Sequence, residues 1–300
     1  MKILLLGANG QLGHQLSIEL LRLGPVRALT RSQIDLSDPV HLPLALQAAT
    51  VDFVPNVIVN AAAYTAVDKA ETETVQAMAV NAQSVGLLAQ WAESLGAILV
   101  HYSTDYVFDG SGTRAWVEED VVGPISVYGK TKFLGEKAIA EVCSKHLVLR
   151  TSWVVGVHGN NFLKTMLRLA TERESLRVVA DQVGVPTSTR LLADITIALL
   201  RAMHDADKED ARWGVYHVVP SGETSWHAYA QYVLAGAMTR GAKLKAHAND
   251  VYPISSAEYP LSAPRPLNSR LSTEKIHSLF GISLPTWQVG VDAILDELVH

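Results

Sequence analysis

A single cysteine, Cys143, is the whole thiol complement of this 300-residue chain. One thiol excludes an internal disulfide and suits a reducing compartment, so a cytoplasmic protein is expected. Long apolar runs are also missing. None reaches the roughly 18 residues of a membrane-spanning helix, and Met1-Lys2 leads straight into a strand-like segment rather than a signal peptide. Positive charge is scarce: 25 Lys and Arg stand against 30 Asp and Glu, and no basic stripe marks a nucleic-acid face. The 11 histidines fall at no metal-ligand spacing, and His14, His101 and His217 read as packing positions. Repeats and low-complexity tracts are absent. What remains is 48% hydrophobic and 18% charged, enough for a sizeable core in one large or two modest domains.

The chain opens on Lys-Ile-Leu-Leu-Leu-Gly7, an apolar strand running into glycines at 7, 10 and 13 and then a helix-periodic segment. Strand, glycine turn and helix are the context of a dinucleotide fingerprint. The glycines admit a pyrophosphate close to the backbone, and the helix N-terminus offers free N–H groups and a favourable dipole. The spacing is G-x-x-G-x-x-G, so Gly7, Asn9, Gly10, Gln11, Leu12 and Gly13 are candidate cofactor contacts. A second strand is expected near Val26–Leu29. At its end stand Thr30-Arg31-Ser32, with no carboxylate before Asp35. An arginine there accommodates a 2′-phosphate. Arg31 is therefore read as a phosphate contact and Asp35-Leu36 as the adenine edge, the plainer alternative being a solvated loop arginine. A third strand, Asn56–Asn60, ends in Ala61, Ala62, Ala63, Tyr64 and Thr65, where small side chains let a cofactor lie against the backbone. Asp68 to Trp91 reads as one helix, straight or kinked, with a polar Asn81 inside it, either tethering a neighbouring strand or taking part in chemistry.

The segment Ala97–Tyr102 reads as a buried strand, which places Thr104 at its C-terminal end, where open α/β sheets bind ligands. Ser126 is a candidate cap for a helix running to about Glu141. On that helix Tyr128 and Lys132 are four residues apart and share a face. An ammonium beside a phenol favours the phenolate and makes a usable acid-base of a group with a pKa of about 10. The spacing alone is weak, because a tyrosine packed on a lysine stem produces it too; the glycine loop gives it weight. Beyond lie a strand at 147–152 and Trp153, which either stacks on a ring in the crevice or closes a core. Helices at 160–170 and 189–203 flank a strand at 176–181, and a last strand covers 214–219. From Ser221 the texture changes to one helix and then proline punctuation. The expected architecture is a doubly wound Rossmann-type parallel sheet with a smaller C-terminal lobe.

With Gly7-x-x-Gly10-x-x-Gly13, Ser103-Thr-Asp-Tyr-Val-Phe-Asp-Gly110 and Tyr128-x-x-x-Lys132 in view, the chain resembles the extended short-chain dehydrogenase/reductases, and among them the dTDP-4-dehydrorhamnose reductase family. Segments 61–71, 161–162, 182–187 and 264–266 carry the resemblance along the whole chain. It implies a two-lobed protein: residues 1–152 with 188–219 binding the dinucleotide, and 153–187 with 220–300 binding a nucleotide sugar. It implies NADPH as hydride donor, with NADH acceptable. Tyr128 is then the proton donor to the sugar C4 oxygen, with Lys132 lowering its pKa and holding the nicotinamide ribose. Thr104 positions the oxygen. Asp105, Tyr106 and Trp153 line the sugar, Arg265 holds the diphosphate, and Tyr102 joins the cofactor contacts. Related epimerases and dehydratases, and a non-catalytic regulatory subunit of methionine adenosyltransferase, share enough of the pattern to stand as alternatives. Some members bind Mg²⁺ at a dimer interface through three carboxylates. Here the matching positions are Gln15, Arg190 and Asp292, of which only Asp292 is acidic. No bound Mg²⁺ and a monomer or weak homodimer are therefore expected, with no nucleic-acid or membrane partner; Arg190 and Asp292 are left free to pair, within one subunit or across an interface, and the sequence does not decide whether they do.

Overall fold

The computed structural model describes residues 1–299. Six strands form one parallel sheet: β1 (Ile3–Leu6), β2 (Val26–Leu29), β3 (Val57–Asn60), β4 (Ile98–Thr104), β5 (His146–Thr151) and β6 (Gly214–His217), in spatial order β6-β5-β4-β3-β1-β2. The strands are apolar nearly throughout because both faces are covered, as in all-parallel sheets generally. Alternation sorts the side chains. Ile3, Leu5, Val57, Val59 and Val100 pack with Leu12, Leu16, Leu192 and Leu200 from helices Gln11–Glu19 and Thr189–Met203. Leu4, Leu6, Ile58 and Leu99 face the other way, onto Leu42, Leu88 and Ile139. The chain leaves β1 for β2 on one side and returns to β3 on the other. That reversal is the switch point, and the crevice opens beyond the C-terminal ends of β1 and β3.

A second core joins helices Phe162–Glu172, Trp226–Thr239 and Trp287–Leu298 around Leu163, Tyr229, Trp287 and Leu295. Ile276 and Phe280, late in the chain, pack instead against the core of the sheet. Among the described residues no helix is long and apolar enough to cross a membrane.

Two expected elements differ. The single helix over 68–91 is broken into Val67–Ala70 and Thr74–Met78, a π-helical turn Ala79–Gln83, and then Ser84–Leu95. At the π-helical turn the chain makes a close approach: a Cβ on Gly135 would lie 2.2 Å from the Asn81 carbonyl oxygen, so the two helices meet backbone to backbone there. The last strand ends at His217 rather than 219.

The helix carrying the tyrosine and lysine runs Val127–Val142 and is capped by Ser126 Oγ, which accepts the Gly129 N–H. It is anchored under the sheet by a buried ion pair. Glu136 accepts Arg150 Nη2 at 2.7 Å and Nε at 3.0 Å, and also the Ser103 hydroxyl. Removing one partner of such a pair leaves an uncompensated buried charge, costing about 3–5 kcal/mol. Glu136→Ala is therefore expected to lose ~3–5 kcal/mol in denaturant unfolding, with much of the loss recovered by the apolar pair Glu136→Leu and Arg150→Met. A loss below about 1 kcal/mol would show that water or another group already compensates Arg150.

Candidate active site

The glycine loop folds tightly on itself and on the loop after β3, which brings the start of the following helix to the crevice. Gly7 has φ of 81°, and a Cβ there would fall 2.7 Å from Ala62 N; on Gly13 it would fall 2.0 Å from the Gly7 carbonyl oxygen. The helix that follows has glycine as its N-cap, no side chain capping it and no acid in its first turn. Its leading N–H groups keep their donor capacity and nothing repels an anion, which fits a pyrophosphate. The loop after β3, with Ala61, Ala62 and Ala63 partly buried, forms the other wall. Asn81 holds that wall: its Oδ1 accepts the Tyr64 N–H at 2.8 Å and its Nδ2 donates to the Tyr64 carbonyl and to Thr131 Oγ1. Tethering is what Asn81 does here. The Tyr64 hydroxyl donates to Glu73, and Thr65 is exposed. Asn9 and Gln11 are engaged from across the crevice mouth, Asn9 by His158 and Gln11 by Asn161 Nδ2 at 3.0 Å.

Four expected cofactor contacts take a different form. Leu12 and Leu36 lie in the two cores flanking the sheet, so neither side chain reaches a ligand. Tyr102 alternates to the face opposite Lys132; its hydroxyl meets Thr196 Oγ1 at 2.6 Å inside the core, and only its carbonyl faces the site. Arg31 is exposed but not idle: it pairs with Asp35 at 3.3 Å and donates to Ser37 Oγ.

Thr104 ends β4 and is buried, donating to Asp105 Oδ1 at 3.0 Å and accepting the Tyr106 N–H. Gly129 lets the helix bearing Tyr128 close on this turn, since a Cβ would lie 2.1 Å from the Tyr106 carbonyl oxygen. The rings of Tyr106 and Tyr128 meet edge to face, their centroids 5.6 Å apart. Burial pushes the Tyr128 phenol up to about 12, opposed by a hydrogen bond with Thr104 and reinforced by the Asp105 charge. Lys132 does not lower the phenol in this state. Its Nζ is turned to the Tyr102 carbonyl at 2.6 Å and His101 Nε2 at 3.1 Å, and burial lowers its own pKa to about 8. His101, expected merely to pack, is thus a neighbour of the lysine. His14, expected likewise, is exposed and stacks on His158.

Around this centre the structure gathers the remaining candidates. Arg265 lies near Tyr106 at the crevice but is paired with Asp68 at 2.6 Å. Trp153 takes a positive φ of 44° and stacks on Trp226 at 3.7 Å while staying partly exposed. It closes the second core at its edge. Within the chain Asp292 pairs with Arg240 and accepts the Tyr232 hydroxyl rather than meeting Arg190, and Gln15 donates to Glu19. Among the described residues no three His, Cys, Asp or Glu side chains converge as a metal site would require.

A family model described as the RmlD substrate binding domain matches residues 1–300. The dTDP-4-dehydrorhamnose reductase of Escherichia coli K12 is 47% identical over 298 residues, 99% of this chain and 98% of the relative. The chain belongs to the dTDP-4-dehydrorhamnose reductase family. The reductase of Burkholderia thailandensis is 44% identical over 300 residues, 100% of this chain and 99% of the relative. Among solved structures, the reductase of Clostridium acetobutylicum superposes with a TM-score of 0.89 at 34% identity, covering 99% of each chain. That of Bacillus anthracis, solved in complex with NADP, gives 0.87 at 34% identity, covering 99% of this chain and 100% of that one.

Beside Thr104 the site holds a second buried group, the carboxyl of Asp105. One carboxylate oxygen, Oδ2, is buried and receives no hydrogen bond of good geometry among the described residues, the Ser269 hydroxyl standing near the carboxyl without forming one. Burial raises the Asp105 pKa to about 6 against the lowering effect of the Ser269 and Thr104 hydroxyls. A carboxyl raised on folding favours the folded state below its unfolded pKa, and that contribution is lost as pH rises through the folded value. Asp105→Asn should therefore stabilise the resting chain at pH 7–8 by on the order of 2 kcal/mol, with the gain vanishing below about pH 4. Thermal unfolding of both proteins across pH 4–8 checks this, and a difference that does not change with pH would refute it.

Proposed function

We propose that this chain is an NADPH-dependent reductase converting dTDP-4-dehydro-β-L-rhamnose to dTDP-β-L-rhamnose, with Tyr128 as proton donor. The observation that carries the reading is the convergence of a Thr104–Tyr128 hydroxyl pair and a buried Lys132 beside a glycine-lined crevice at the sheet's switch point. Gly7, Asn9, Gly10, Gln11 and Gly13 would hold the pyrophosphate, Ala61 to Thr65 the far wall, and Lys132 a ribose; Asp35 and Arg31 would meet the adenosine end. When bound, the nicotinamide supplies a hydride to the sugar's C4.

The residues of the chain supply the proton and the geometry. Reduction needs an acid, and a phenol held near 12 is fully protonated at neutral pH. Thr104 lies in hydrogen-bonding reach of that phenol and orients the C4 oxygen towards it. As the proton leaves, Tyr128 becomes a phenolate, and the Lys132 side chain one turn away is the cation placed to stabilise it. The unpartnered Asp105 Oδ2 accepts a sugar hydroxyl, with Tyr106 and Trp153 beside it. Arg265 exchanges Asp68 for the substrate diphosphate. Residues 1–152 with 188–219 form the dinucleotide side, and 153–187 with 220–300 the sugar side. We take the protein to be cytoplasmic and a monomer or weak homodimer.

The decisive assay is NADPH oxidation with dTDP-4-dehydro-L-rhamnose. A reductase consumes one NADPH per sugar, an epimerase or dehydratase recycles its nucleotide, and a regulatory subunit turns nothing over. Tyr128→Phe should cut kcat by roughly 10²-fold or more while NADPH affinity is nearly kept, whereas Lys132→Ala should damage both. Near-normal kcat in Tyr128→Phe would remove the tyrosine from the mechanism.

Cofactor choice gives a separate prediction. A charged contact to a phosphate contributes about 1–3 kcal/mol. Arg31→Ala should raise the KM for NADPH roughly five- to hundredfold and leave that for NADH almost unchanged. Equal losses with both cofactors would mean that Arg31 serves only to hold Asp35 and Ser37.

A further inference from the structure

The parallel register of β3 and β4 sets Asn60 beside His101, and each is only 1% exposed. The backbone N–H of Ala62 donates to Asn60 Oδ1 at 3.1 Å. A backbone amide is only ever a donor, so this bond fixes which end of the Asn60 side chain is oxygen. Asn60 Nδ2 then faces His101 Nδ1 at 3.1 Å, and a ring nitrogen facing an amide N–H must accept. Burial holds the His101 pKa well below its ordinary value, so the ring is neutral. A neutral imidazole has one donor and one acceptor. Its proton therefore sits on Nε2, which points at Lys132 Nζ from 3.1 Å. A nitrogen that receives an N–H must offer a lone pair, and an ammonium has none. Lys132 meets that condition only as the free amine, which still donates to the Tyr102 carbonyl.

We propose that Asn60 and His101 form a one-way hydrogen-bond chain that favours the neutral amine of the resting Lys132, and that in alkaline solution, where the amine prevails, filling the dinucleotide site draws a proton from solvent onto it. The proposal rests on the reading of the crevice as a dinucleotide site. Asn60 and His101 are positioning residues, acting through Lys132. The other groups around the lysine are Tyr128 and Glu136 on its own helix, with Ser103 from β4 and Arg150 from β5 reached through Glu136. The Glu136 charge favours the ammonium, but that carboxylate is already committed to both Arg150 and Ser103, and burial prevails: the Lys132 pKa is lowered to about 8. An anionic dinucleotide with acceptor hydroxyls tips the balance back. One N–H bond then forms on Nζ, no redox change occurs, and the contact from His101 is given up.

Two measurements test this, one of them without cofactor. Calorimetric titration of the full chain with NADP⁺, in buffers of different ionisation enthalpy, counts protons taken up per site. With a resting lysine near 8, uptake should be about nine-tenths of a proton at pH 9 and about one-tenth at pH 7. Nitrogen-15 NMR of the resting chain should find the His101 proton on Nε2. Asn60→Asp replaces the donor facing His101 with an acceptor of the same shape; it should move that proton to Nδ1 and abolish the pH-dependent uptake. Binding without uptake at pH 9, or a proton on Nδ1 in the unmutated chain, overturns the proposal. No binding heat at all overturns the dinucleotide reading instead, with the NMR tautomer still deciding the hydrogen-bond chain. Should Asn60→Asp fail to fold, the two measurements on the unmutated chain decide alone.

Discussion

Lys132, Glu136 and Arg150 are all but sealed from water beneath the crevice, each at most 4% exposed. Ionisable groups in that position survive only with hydrogen bonds to the polar atoms they carry. The surrounding structure answers that demand. Lys132 takes a main-chain carbonyl and an imidazole from β4, and Glu136 takes Ser103 from the same strand and Arg150 from β5. Register makes this possible, because β4 and β5 set Ser103 directly beside Arg150. The helix bearing Tyr128 is thus held by polar groups on the face that presents the phenol, and its rotation about its own axis is fixed as firmly as its distance from the sheet.

That distance is set by glycine. Gly129 and Gly135 bring the helix to backbone contact with the turn at Tyr106 and with the π-helical turn at Asn81. Any side chain at either position would push the phenol away from Thr104. The same packing hands Asn81 its task, since its amide bridges Thr131 on this helix to the Tyr64 backbone in the loop after β3. One wall of the crevice and the proton donor are therefore mechanically a single piece, and a shift in either is felt by the other.

What was legible in the sequence was local. Glycines at 7, 10 and 13, the Ser126 cap and the four-residue step from Tyr128 to Lys132 each need only a few neighbouring residues to be understood, and each lies where its spacing placed it. What depended on pairing across strands was not legible. His101 reads as a strand filler until Asn60 and Lys132 are seen to flank it. Tyr102 looked like a ligand contact because it adjoins the site in sequence, yet strand alternation sends it to the opposite face. Leu36 follows the polar end of β2, yet its side chain turns into the core, so only its backbone is left to face a ligand. The Tyr128 environment was misjudged because spacing says that an ammonium is near but not that carbonyl and imidazole groups have already engaged it.

The resting charge state of the site also explains why one carboxylate oxygen can be left without a partner. A buried polar atom with nothing to bond costs about 1–3 kcal/mol, and such a cost persists where a ligand will remove it. Asp105 Oδ2 is buried next to Thr104, at the level of the phenol. A ketone alone would not satisfy it, because a carbonyl has no hydrogen to donate. A polyhydroxylated ring does, and bonding there would favour the ionised carboxylate over the protonated one. The Asp105 charge in turn raises the Tyr128 phenol, keeping it an acid until the proton is needed. Substrate hydroxyl, Asp105 and Tyr128 are linked in that order, so recognition of a sugar and readiness to protonate its C4 oxygen are parts of one electrostatic arrangement.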